Sequence, residues 1–134
     1  MTEISSGDAP FHAHIYYSAA QRPIAAALRD RLLNATPGDP LSKVKFVGEL
    51  RDHKVGPHTV PQFEIHFDAR LLAFVEPELV RSGLRVLIHP LTLDDLGDHT
   101  HLGRWIGEPV ALDLTVLDPP GVNQGFDRFG KTDF

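Results

Sequence analysis

The spacing of hydrophobic positions changes several times along this chain, and each change marks an element. Residues 11–17, Phe-His-Ala-His-Ile-Tyr-Tyr, alternate with period two. Phe11, Ala13 and Ile15 fall on one side and His12, His14 and Tyr16 on the other, which predicts a strand. The ten residues before it are small and polar and read as a loose start. Pro23 suits the first turn of a helix, and Ile24, Ala27, Leu28 and Leu32 recur at helical spacing as far as Asn34. Alternation resumes over 43–49. A loop punctuated by Gly56 and Pro57 covers 51–61. A third strand over 62–67 sets Phe63, Ile65 and Phe67 against Glu64 and His66. Asp68 is placed to cap a second helix reaching Ser82, with Leu71, Leu72, Val75 and Leu79 as its apolar stripe. Pro77 should kink or split that helix, and Gly83 should end it. Residues 84–89 form a short apolar strand closed by Pro90, and 91–108 a long loop or short helix. Residues 110–117 have the β character of a fifth strand.

The order is βαββαβ plus one strand. It predicts an α+β, ferredoxin-like plait: an antiparallel sheet with both helices on one face and an additional C-terminal strand. One domain should cover 1–134, with 1–10 and 119–134 as flexible or partner-docking ends. The last segment is rich in Gly and Asp but keeps Phe126, Phe129 and Phe134. In a plait the first and third strands are central neighbours. Strand parity then sends Phe11, Ala13, Ile15, Phe63, Ile65, Val86 and Ile88 toward the helices. His12, His14, Glu64, His66 and His89 share the opposite face. A register error of one residue on any strand would break this grouping.

Composition changes the picture at three points. The chain has 134 residues, eight histidines and no cysteine. Disulfides, thiolate catalysis and cysteine-bound metals are thereby excluded, and a metal must use nitrogen and oxygen ligands. A net charge of −5 argues against a nucleic-acid partner. No apolar run reaches membrane-spanning length and the start lacks a signal-peptide pattern, so the expected location is cytoplasmic.

The histidine face is therefore a candidate metal centre, with His12, His14, His89 and Glu64 as its ligands. Two histidines with one carboxylate make the facial triad of Fe(II) oxygenases, whereas three histidines equally suit zinc. Spacing does not separate these, nor does it separate them from solvent-facing strand histidines with no metal. The loop histidines His58 and His99 are candidate proton shuttles. Tyr16, Arg104 and Trp105 are candidate substrate contacts. Arg104 suits a carboxylate, with a solvated Arg104 and a core Trp105 as the plain alternative.

Five motifs appear in a familiar order: His12-x-His14-x-Tyr16-Tyr17, Gly56-Pro57-His58, Phe63-Glu64-Ile65, Val86-Leu87-Ile88-His89-Pro90, and Asp98-His99-Thr100 with Trp105-Ile106-Gly107. Together, from about residue 10 to 117, they resemble the DOPA 4,5-dioxygenase family of small bacterial and fungal proteins. The resemblance implies a ferredoxin-like fold and extradiol cleavage of a catechol such as DOPA by O₂ on a histidine-bound Fe(II). His12, His14 and His89 match the family's motif histidines, and His58 and His99 its loop histidines. Expected partners are a small aromatic catechol, O₂ and a second copy of the chain, since an open sheet face calls for a cover. Two other readings stand beside this one. One is a zinc hydrolase or isomerase on the same cluster. The other is a non-catalytic plait that dimerises or binds a ligand through its open face.

Overall fold

The apolar stripes found in the sequence need one sheet to pack on, and a computed structural model describing residues 7–134 provides it. Residues 1–6 of the expected loose start lie outside the described residues. The elements in chain order are β1 (Pro10–Tyr16), α1 (Arg22–Leu33), β2 (Phe46–Val47), β3 (Gln62–Asp68), α2 (Leu72–Ser82), β4 (Arg85–Pro90), α3 (Asp95–Asp98), β5 (Arg104–Ile106) and α4 (Gly125–Arg128). Their sheet is antiparallel and ordered β2-β3-β1-β4-β5. This is the ferredoxin-like order with one strand added beside β4. β1 is paired on both edges, so its backbone polar groups are satisfied by β3 and β4, and its side chains are held in register.

The core lies between the sheet and the two long helices. Phe11, Ala13, Ile15, Phe63, Ile65, Val86 and Ile88 pack there against Ala25, Leu28, Leu32, Val75 and Leu79. Strand parity alone predicts the sheet half of this cluster. α2 ends as Gly83 turns left-handed at φ 74°, with its N–H bonded to the Val80 carbonyl.

Three boundaries differ from expectation, each for a local reason. The strand expected over 43–49 is regular only at Phe46–Val47, because Asp39 caps a 3₁₀ turn over Pro40–Lys43. The Lys45 and Gly48 amides still bond to the His66 and Glu64 carbonyls, so the edge follows β3. Asp68 makes no side-chain cap; a 3₁₀ turn over Ala69–Leu71 leads into α2, which runs unbroken through Pro77. The fifth strand is not 110–117 but Arg104–Ile106. The Asp113 carboxylate captures the amide and hydroxyl of Thr115 (3.1 and 2.6 Å) and bends Leu114–Val116 into a 3₁₀ turn. A local side-chain bond there outweighs the β propensity of the segment.

Residues 119–134 lie across the polar face of their own sheet. The Phe129 ring stacks on His66, centroids 5.6 Å apart, and the Gly130 amide donates to His66 Nδ1 at 2.9 Å. Asp133 is buried and accepts from Arg51 Nη2 at 2.6 Å. Phe134 meets His58 edge-on at 5.7 Å. Gly48 is the accommodation on the sheet side: a Cβ there would sit 2.6 Å from Asp133 Oδ2. The face expected to need a partner subunit is thus covered by the chain itself.

Asp133→Ala leaves the Arg51 guanidinium without its carboxylate. The expected cost is about 1–3 kcal/mol in urea denaturation. The Gly130 amide should also exchange roughly tenfold faster by NMR as the tail loosens. Unchanged exchange at Gly130 would mean that this ion pair does not hold the tail.

Candidate metal centre

Register delivers the histidines to one place. His12 stands directly across from His66 on β3 and His89 on β4, and His14 across from Glu64. The loop before β3 adds His58, and the end of α3 adds His99. All five non-His66 rings are buried, with centroids 4.0 Å apart for His14–His58, 4.3 Å for His89–His99 and 5.0 Å for His14–His89. They share a cavity of about 190 Å³ with Glu64, Asp95 and parts of the tail.

The hydrogen bonds assign the ring protons. His89 Nδ1 lies 2.7 Å from the Pro90 carbonyl, which only accepts, so the proton is on Nδ1 and Nε2 is a bare lone pair. His99 Nδ1 is fixed in the same way by the Asp95 carbonyl at 2.8 Å. His14 Nδ1 meets the side-chain amide of Gln62 at 3.2 Å. His14 Nε2 and the bare Nε2 of His89 face each other at 2.9 Å, a contact that one hydrogen-bond proton or one shared cation satisfies. His12 Nε2 is buried with no hydrogen-bond partner, and so is His58 Nε2, whose Nδ1 meets the Tyr16 hydroxyl at 2.7 Å.

Burial, and then repulsion from neighbouring histidines, holds His12, His14, His58 and His89 well below the usual imidazole range. They are neutral at pH 7, the form in which imidazole binds metal. The donor atoms of His12, His14 and His89 lie within 4.8 Å of one another, as do those of His14, His58 and His99. Two nitrogens bound at right angles to one ion at about 2.1 Å lie about 3 Å apart, which matches the His14–His89 separation. The donor set therefore fits a divalent metal.

The other expected residues divide. Glu64 borders the cavity, but His66 Nε2 bonds to its Oε2 at 2.5 Å, and its oxygens stand 3.8 and 3.9 Å from His12 and His14 Nδ1. It faces the outer nitrogens of the two strand histidines and can orient them. His66 has both nitrogens engaged, one with Glu64 and one with Gly130. Tyr16 reaches the site only through His58, and burial keeps its phenol protonated. Arg104 is exposed and pairs with Glu76 at 2.6 Å, and Trp105 stacks on Tyr16 at 5.8 Å; neither lines the cavity. Asp98 does not touch His99. It accepts from Thr92 and Asn123, and burial raises its carboxyl to about 6.

Sequence reasoning passed over Gln62, Asp95 and Arg128, and singled out Phe134 only as a docking aromatic of the tail. Gln62 was findable, since it shares parity with Glu64 and His66 on β3. Asp95 stands four residues before His99, one helical turn. Nothing local marks Arg128.

Comparison with known proteins gives consistent results. Residues 11–116 match the model of the Dopa 4,5-dioxygenase family. A protein of Amanita muscaria named DOPA 4,5-dioxygenase is 33% identical over 121 residues, covering 87% of this chain and 53% of its own. An uncharacterized 21.2 kDa protein of Botryotinia fuckeliana is 31% identical over 125 residues, covering 80% of this chain and 62% of its own. The chain thus spans little more than half the length of these curated relatives. A crystal structure from Nostoc punctiforme, of a candidate dioxygenase, superposes with a TM-score of 0.69 at 34% identity, covering 81% of this chain and 90% of that one.

Buried neutral histidines make stability depend on pH. Their folded pKa values lie below the unfolded value of about 6.5, so only the unfolded chain takes up protons just beneath it. Stability should be full above pH 6.5 and fall as pH drops through it toward the folded values, with more than one proton taken up per molecule unfolded. Urea midpoints of metal-free protein between pH 8 and 5 measure this. A flat profile would show that the histidines are not buried neutral.

Proposed function

The chain belongs to the Dopa 4,5-dioxygenase family, and from that membership we propose that it is a metal-dependent extradiol dioxygenase that opens a catechol ring with O₂. The observation that carries the reading is the facing pair His14 Nε2 and His89 Nε2 at 2.9 Å, with the partnerless His12 Nε2 beside them. His12, His14 and His89 would hold Fe(II), the metal that suits O₂ chemistry on nitrogen ligands with open positions. When bound, the ion supplies Lewis acidity toward the two catechol oxygens and redox chemistry toward O₂.

The remaining work falls to this chain's own groups. His99, with its proton fixed on Nδ1, presents a lone pair at Nε2 that can take the proton of a catechol hydroxyl. With its Nδ1 proton resting on the Tyr16 hydroxyl oxygen, His58 can take a proton at Nε2, hold it as imidazolium, and return it later. Burial keeps His58 neutral, so it begins as a base. Gln62 holds His14 by its outer nitrogen, and the Glu64 carboxylate lies near the outer nitrogens of His12 and His14. Phe134 and the tail keep bulk water from the rings, which strengthens each polar contact inside.

Anaerobic reconstitution with Fe(II), followed by DOPA or a simple catechol in air, should give a yellow semialdehyde. Iron-loaded protein that yields no colour with any catechol would defeat this reading. His14→Ala and His89→Ala should each weaken Fe(II) binding by more than roughly 100-fold in anaerobic equilibrium dialysis. His66→Ala, which removes no ligand, should stay within that range. Wild-type affinity in His14→Ala would refute the ligand assignment even if the activity stood.

A further inference from the structure

We propose that Arg128 is the specificity-determining residue of the site, its guanidinium receiving the carboxylate that a catechol such as DOPA carries on its short side chain. This rests on the ring-cleavage reading of the histidine site. The family match ends at residue 116, yet much of the cavity wall comes from beyond it: Asn123, Gln124, Gly125, Arg128 and Phe134. Substrate recognition and ring chemistry thus sit on different parts of the chain.

The charges around the cavity single out Arg128. Its acidic neighbours are engaged within the protein. Glu64 bonds to His66, an Asp95 oxygen accepts the Asp118 amide at 2.9 Å, and both Asp118 oxygens accept from Gln124 at 2.8 and 2.9 Å. Among the described residues lining the cavity, Arg128 is the one cation. It has no carboxylate partner. Its guanidinium carbon lies 5.8 Å from the centroid of the Phe134 ring, a contact that leaves the N–H edge free. A half-buried guanidinium lying over an aromatic face, with its fork of donors unspent, matches a planar anion such as a carboxylate.

The tail also holds Arg128 in place. The Arg128 carbonyl accepts from the Lys131 and Thr132 amides at 2.9 and 3.1 Å. The Gly130–His66 bond and the Asp133–Arg51 pair pin the same turn to the sheet. A cavity of about 190 Å³ admits one ring with a short side chain. Arg104, the arginine that the sequence suggests for this role, is spent on Glu76 outside the cavity.

The test compares two ligands on Fe(II)-loaded protein held anaerobically: 3,4-dihydroxyphenylpropionate, and 4-methylcatechol, which lacks the carboxylate. Calorimetry should show the acid binding at least about tenfold tighter. Arg128→Gln should bring that ratio close to one, Arg128→Lys should keep part of it, and Arg104→Gln should keep all of it. Because the readout is a ratio within each protein, a general loss of affinity does not mimic the effect. An absent preference in the wild type, or one that survives in Arg128→Gln, overturns the role of Arg128 while leaving ring cleavage standing. If neither catechol binds the iron-loaded protein, the ring-cleavage reading fails and this selection falls with it.

Discussion

Two buried imidazoles, His14 and His89, meet through their Nε2 atoms at 2.9 Å. His89 commits its proton to the Pro90 carbonyl, so its Nε2 is a lone pair aimed at His14. Burial resists a charge on either ring. The surrounding structure keeps the contact closed. β1 is locked between β3 and β4, so neither His12 nor His14 can shift without breaking two ladders. The Pro90 carbonyl fixes the tautomer of His89, and the Asp95 carbonyl that of His99.

A polar sheet face carrying this many histidines needs protection from water without losing access for a small molecule. The chain meets that need with its own last residues. His66 is the link between the layers, giving its Nε2 proton to Glu64 and accepting the Gly130 amide at Nδ1. It supports the site from beneath and anchors the cover from above. Stability of the tail and order of the site are therefore coupled through one ring. The same segment carries Arg128 to the cavity.

Much of the architecture was legible in advance because strand periodicity is a property of the backbone. Once β1 and β3 are strands, the pleat sends His12, His14, Glu64 and His66 to one side whatever else the protein does. Edge elements were less legible. Residues 110–117 read as a strand, but Asp113 bonds to Thr115 and turns the chain instead. The true edge strand is three residues at Arg104–Ile106, too short for a periodicity to emerge. Arg104 was the sequence's plausible anion-binding residue, and a carboxylate on α2 claims it.

By itself, the sequence determined the α+β order, the two faces of the sheet and the set of histidines on the polar one. Each of these follows from local spacing along the backbone. Tertiary structure alone decided which nitrogen of His89 and His99 is free, that His66 bonds to Glu64 and Gly130, and that Arg128 rather than Arg104 reaches the cavity. Those outcomes depend on partners such as His89 for His14 and Gly130 for His66, which are 75 and 64 residues away along the chain. A ring's proton goes where its neighbours allow, and only the folded chain brings those neighbours together.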